Sequence, residues 1–166
     1  MAKNFITDTS GSIEEVVKQV IREHKEFRIV RNLHFLYTFR VGDIQWDKDG
    51  LPIDSFTKKL STRERDVYGK DIELCVHYDS WYDYTKDQKY RLIFRCLLGI
   101  HVEVEGKETI EIVLDDDGRI VFRCVPPDIV LRMFSKELEV FGLSSQYKSV
   151  LKKLVPSMKE RGNANP

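Results

Sequence analysis

The sequence predicts an α+β domain, and three observations carry that prediction. Leu92, Ile93, Cys96, Leu97 and Ile100 recur at helical spacing, and the helix they form is apolar enough to lie buried in the fold. Asp71 to Tyr78 alternates Ile72, Leu74, Val76 and Tyr78, the period of a strand with one face inward. Asp115-Asp-Asp-Gly118 separates two strand-like runs, 109–114 and 119–124, as the turn of a β-hairpin.

The remaining elements can be taken in chain order. After an N-terminal segment of residues 1–11, Ser12-Ile-Glu-Glu15 has the form of a capping box. Ile13, Val16, Val17, Val20 and Ile21 then keep a helical period, so a helix is expected over 12–26. Leu33 to Arg40, rich in aromatic and branched residues, reads as a strand. Asp47 to Arg65 is polar, with a turn at Lys48 to Pro52, and is expected to be a long loop with little regular structure. Thr85-Lys-Asp-Gln88 is a second capping box, opening the apolar helix that runs to about Ile100. Pro127 in a first turn, then Val130, Leu131, Phe134, Leu138 and Phe141, with Gly142 as a stop, marks a helix that closes a domain spanning 12–143. Residues 144–155 form an amphipathic helix through Tyr147, Val150, Leu151 and Leu154. It either docks on its own domain or pairs with a second copy as a homodimer. Residues 156–166 read as a disordered tail.

Bulk properties narrow the functional classes. At 166 residues with 42% hydrophobic and 33% charged side chains, the chain has enough apolar material for a real core. Its 27 basic residues balance its 27 acidic ones, so overall charge points to neither nucleic acid nor membrane. No apolar run spans a bilayer and the first residues do not read as a signal peptide. Three widely spaced cysteines, Cys75, Cys96 and Cys124, suit reduced thiols, and the expected location is the cytoplasm.

Several features compete as sites. Tyr78-Asp-Ser-Trp-Tyr-Asp-Tyr84 is unusually aromatic. Trp81 is expected in the core, whereas Tyr82 and Tyr84 are candidates for contact with a partner. Lys18, Arg22 and Lys25 fall at spacings of four and three on one helix face, with Arg28 and Arg31 next along the chain. That stripe is a candidate for partner or phosphate contact, although Glu23 and Glu26 interleave and a solvated face is the plainer reading. Nucleic acid is therefore open but not favoured. The acidic run 115–117 lacks the downstream glutamate of a calcium loop. Cys75 and Cys96 read as small core residues, and no residue is assigned a catalytic role.

The order of His34-Phe-Leu-Tyr-Thr-Phe-Arg40, Asp71 to Trp81, Asp87-Gln-Lys89 before the apolar helix, Asp117-Gly-Arg119, and Pro126-Pro-Asp128 to Leu143 resembles a metallopeptidase family of phages and prophages. The resemblance implies a zincin-like arrangement, a small mixed sheet packed on a buried central helix, with a hairpin and C-terminal helices. It also implies an H-E-x-x-H motif, whose two histidines bind zinc and whose glutamate activates water. Here the motif is degenerate: Leu97 and Leu98 occupy the His and Glu positions and His101 that of the final histidine. Pro127 stands where the family is taken to carry a further histidine. The implied function is that of a non-catalytic relative that binds a host or phage protein, for example part of a defence system such as CRISPR, without a cofactor. The enzyme alternative is a zinc peptidase with relocated ligands drawn from His101, Glu103 and His77 or His34.

Overall fold

Four strands make the main sheet: β1 (Asn4–Thr7), β2 (Phe35–Val41), β5 (Ser55–Lys59) and β6 (Ile72–His77). Their spatial order is β1-β2-β6-β5. β2 and β6 run parallel at the centre, and β1 and β5 run antiparallel at the two edges. These strands come from a computed structural model that describes residues 4–47, 50, 52–106, 110–125 and 140–142. The chain divides into two compact units, Met1–Pro126 and Pro127–Pro166, and the main sheet belongs to the first. The class is α+β, as expected.

β6 is buried on both faces, with Ile72, Leu74, Val76, Cys75 and His77 all inaccessible, so it is the axis of the core. The alternation read from the sequence identified the strand and understated its burial. Helix α1 (Ser12–Glu23) buries Ile13, Val17 and Val20, and α4 (Lys86–Leu98) buries Leu92, Ile93, Phe94, Cys96 and Leu97. Each such side chain contributes about 1.5–3 kcal/mol of transfer free energy. Trp81, on the short helix α3 (Tyr78–Asp83), is buried as predicted, and its indole N–H donates to Ser12 Oγ at 3.2 Å.

The α4 capping box forms as expected. Thr85 Oγ1 accepts from Gln88 N, while Gln88 Oε1 accepts from Thr85 N at 2.8 Å. The one anticipated at Ser12 does not. Gly11, at φ 73°, is the N-cap, and the carboxylate of Asp8 instead accepts from Ile13 N at 2.8 Å. α1 also ends at Glu23, earlier than expected, and continues as separate 3₁₀ turns at Lys25–Phe27 and Val30–Asn32.

Two regions depart further from expectation. The segment read as a loop over 47–65 carries β4 (Pro52–Ile53), which pairs with β3 (Gln45–Trp46), then edge strand β5 and helix α2 (Thr62–Tyr68). Helix α2 has a complete Ser61–Glu64 capping box. Residues 1–11, set apart as a leading segment, supply edge strand β1.

The Asp115–Gly118 turn is present: Asp115 N donates to Arg119 O at 2.8 Å, and Leu114 bridges Ile120. Its flanks pair mainly with the chain just after α4. β9 (Glu111–Ile112) joins β8 (Val104–Glu105), and β10 (Phe122–Cys124) joins β7 (Ile100–Val102). Of the helix expected after Pro127, residues 140–142 are described; 140 and 141 are helical and Gly142 has φ 68°. Pro127, the 144–155 helix and the tail lie outside the described residues. No helix among the described residues is long and apolar enough to cross a membrane.

Candidate functional site

The end of α4 is where metal ligands were expected. Leu97 is wholly buried and Leu98 is the last helical residue; Gly99 caps the helix. His101 is therefore not on the helix. It lies exposed on β7, opposite Arg123 of β10. Two ligands four residues apart share a coordination face only when the helix runs through both, so His101 does not complete a helical ligand pair with position 97.

The relocated donors do not converge either. His77 is buried, with Nε2 2.7 Å from the Gly42 carbonyl and Nδ1 2.8 Å from Ser80 Oγ. A carbonyl only accepts, so Nε2 carries the proton and Nδ1 accepts; both nitrogens are committed. His34 Nδ1 lies 3.1 Å from Asp71 Oδ2. Glu103 and Glu105 are exposed. Among the described residues no three His, Cys, Asp or Glu side chains form a group that could hold a metal ion.

Burial also silences the thiols. The Cys75 thiol is pushed up to about 11 by burial, against a smaller opposing effect of the hydrogen bond from Thr38. Burial raises Cys124 as well.

The aromatic segment splits as its helix dictates. Tyr82 is exposed, rests on Tyr78 with ring centroids 4.8 Å apart, and lies 5.9 Å from Lys89 Nζ. Tyr84 turns inward: its hydroxyl donates to Asp54 Oδ2 at 2.8 Å, and burial followed by the Asp54 charge raises its pKa.

The basic residues build the most developed site. Burial of Ile13, Val17 and Val20 against the core leaves Lys18 and Arg22 on the outer side of α1. The chain then turns through the two 3₁₀ segments, bringing exposed Arg28 and Arg31 to the same groove, of about 700 Å³. Leu33 to Tyr37 line it from the approach to β2 and its first residues, Thr7 and Asp8 from the end of β1 and just beyond, Glu14 from the first turn of α1, and Lys70 from just before β6. Lys25, predicted to share the helix face, lies beyond the end of α1 and does not line the groove.

Lys18 is paired with Glu14 at 2.7 Å. Among the described residues no carboxylate lies within ion-pair distance of Arg22, Arg28, Arg31 or Lys70. Phe35 and Tyr37 stack on one another with centroids 5.7 Å apart and planes 4° from parallel. Burial, then the negative charge of Glu14, raises the Tyr37 hydroxyl pKa, so it stays a neutral donor. The sequence disclosed the helix part of this site. Lys70 and the strand residues were not linked to it, because only the tertiary fold brings position 70 beside positions 18–37.

Compared with known proteins, residues 5–158 match the model of a family described as Putative phage metallopeptidase. No curated protein matches the chain. No solved structure matches it either.

Proposed function

The chain belongs to the putative phage metallopeptidase family over nearly its whole length, and from that premise we propose that it is a non-catalytic member that works by binding another protein. One observation supports the reading: the last turn of α4 buries Leu97, the position we take for the motif's first ligand, and His101 stands apart on β7. The zinc that the family's name implies does not fit these residues. A catalytic zinc requires three protein ligands and an open position, with a base close to the bound water. Leucines at 97 and 98 supply neither donor nor base, and His77 has no free nitrogen to offer.

Loss of polar groups from this helix favours stability over chemistry. A histidine in place of the wholly buried Leu97 would sacrifice apolar contact worth on the order of 1–3 kcal/mol, and a glutamate in place of the half-buried Leu98 would sacrifice less. What remains for a phage protein of this kind is recognition, and we place the partner among host proteins, including components of defence systems such as CRISPR. Exposed Tyr82 and the basic groove are the two surfaces suited to it.

The reading is tested by elemental mass spectrometry on untagged protein purified without chelator, together with a peptide-hydrolysis assay. No bound zinc and no hydrolysis are expected. Stoichiometric zinc with hydrolysis abolished in His101→Ala would overturn the proposal in favour of relocated ligands.

A further inference from the structure

We propose that the basic groove beside β2 takes an extended, acidic segment of the partner protein, which adds to the sheet where β1 stops. The proposal rests on the protein-binding reading above and names the surface and the chemistry of the partner.

The main chain of β2 supplies the first part. His34 O accepts from Asp71 N and Ile72 N, toward β6, whereas Tyr37 O accepts from Asp8 N, on the β1 side. Main-chain groups alternate sides along a strand, so those of Phe35 face the same way as those of Tyr37. β1, however, covers only Thr38 to Val41, with Asp8 adding the contact to Tyr37. Beyond it the chain leaves the sheet, because the Asp8 carboxylate is engaged by Ser10 N and Ile13 N at the start of α1. The N–H and C=O of Phe35 are left without a hydrogen-bond partner among the described residues. The opening is one residue long, and Phe35 is itself buried at the floor of the groove, so a segment lying along the groove meets these two main-chain groups at its base as it would the end of a strand edge.

Charge supplies the second part. Arg22, Arg28, Arg31 and Lys70 border the groove with no carboxylate at ion-pair distance among the described residues. The two acidic groups of its lining are engaged, Glu14 by Lys18 and Asp8 by the start of α1, so cations are in excess there in a chain whose 27 basic and 27 acidic residues balance. A carboxylate-bearing segment satisfies both the cations and the edge. The chain's own C-terminal residues 144–166 are a poor occupant: Lys148, Lys152, Lys153, Lys159 and Arg161 oppose a single Glu160. Nucleic acid fits the cations but leaves the strand edge unused. Phe35 and Tyr37 stack on one another and do not stand apart to receive a base.

The test uses the full chain and fluorescence anisotropy. The probe is a labelled, amidated hexapeptide of alternating glutamate and valine. Comparison probes are the same peptide N-methylated at alternate residues, its lysine counterpart, and oligothymidylate. The acidic peptide is expected to bind and the lysine peptide not to. Arg28→Glu with Arg31→Glu, both at exposed positions, should weaken binding about tenfold or more, with an unchanged thermal melt. N-methylation should weaken it comparably, because it removes main-chain donors and leaves the charge. Equal binding of the N-methylated peptide overturns strand addition, and binding of oligothymidylate without the peptide overturns the choice of partner. If a host protein is captured equally by wild type and by the double variant, the groove is wrong while the protein-binding reading survives. Zinc-dependent hydrolysis would remove that reading itself.

Discussion

Single side chains in this protein are tuned mainly by burial. With its thiol raised to about 11, Cys75 is ionised in roughly one molecule in a thousand at pH 8. Cys75 and Cys96 are buried and Cys124 is half-buried. Thiol labelling of native protein at pH 8 should therefore modify Cys124 first, and all three only after denaturant is added. Rapid native labelling of Cys75 would contradict the placement of β6.

Asp71 behaves oppositely. Burial pushes its carboxyl up, but hydrogen bonds from Arg65 and from the main chain and ring of His34 outweigh that and hold it below its ordinary 3.8. The unfolded chain thus binds this proton more readily. The stabilisation is full above the ordinary aspartate range and is lost as pH falls below about 4. Urea midpoints measured from pH 5 downward should fall in the wild type and fall less steeply in Asp71→Asn. Introducing a histidine and a glutamate as Leu97→His with Leu98→Glu should not recruit zinc, because His101 is off the helix. It should lower stability by about 2–4 kcal/mol through the polar group forced into the core at position 97. Zinc content and urea melts of that variant check both statements. Core identities such as Trp81, Leu97 and Cys75 were legible because size and polarity alone decide burial. The inward turn of Tyr84 was not, since it depends on Asp54 thirty residues away.

Elements show how the same local pattern can end differently. Ser12–Glu15 and Thr85–Gln88 both spell a capping box, yet only the second forms. Ser12 Oγ accepts the Trp81 indole N–H, and Asp8 reaches forward to the helix N-terminus in its place. Thr85→Ala should cost about 1 kcal/mol in chemical denaturation, and Asp8→Ala a similar amount through α1. Glu15→Ala should cost little by way of capping. Gly69 ends α2 at φ 62°, so Gly69→Ala should cost about 1 kcal/mol although nothing crowds its Cβ. β3 and β4 escaped sequence reading because they are two residues long. β5 escaped it because an edge strand ending in Lys58 and Lys59 carries no clean alternation. The capping box of α2 was present in the sequence as Ser61-Thr-Arg-Glu64 and was the available signal.

At the scale of the whole molecule, the α+β class was legible because its two most buried elements, β6 and α4, carry the strongest periodicities. The sheet order was not, since local patterns do not specify which strands pair. The basic groove shares that cause: its residues span positions 7 to 70 and meet only through the sheet. Among the described residues, the buried apolar side chains all lie between Ile13 and Phe122. A chain ending at Pro126 should therefore keep a cooperative thermal melt, monitored by circular dichroism. A gradual, non-cooperative loss of signal would show that the first unit depends on residues 127–166.

The strand order carries a kinetic consequence. No two neighbours in the main sheet are joined by a hairpin: α1 separates β1 from β2, α2 separates β5 from β6, and the central pair joins Phe35 to Ile72 across everything between. Each pairing must close a long loop before its contacts reward it. The sheet has no local nucleus from which to zip. Refolding should accordingly fall in the millisecond-to-second range of non-local topologies rather than the microseconds of helical bundles. During that interval the apolar strand Ile72–His77 waits uncovered, which makes the nascent chain most vulnerable to self-association before its first helix and central strands have met.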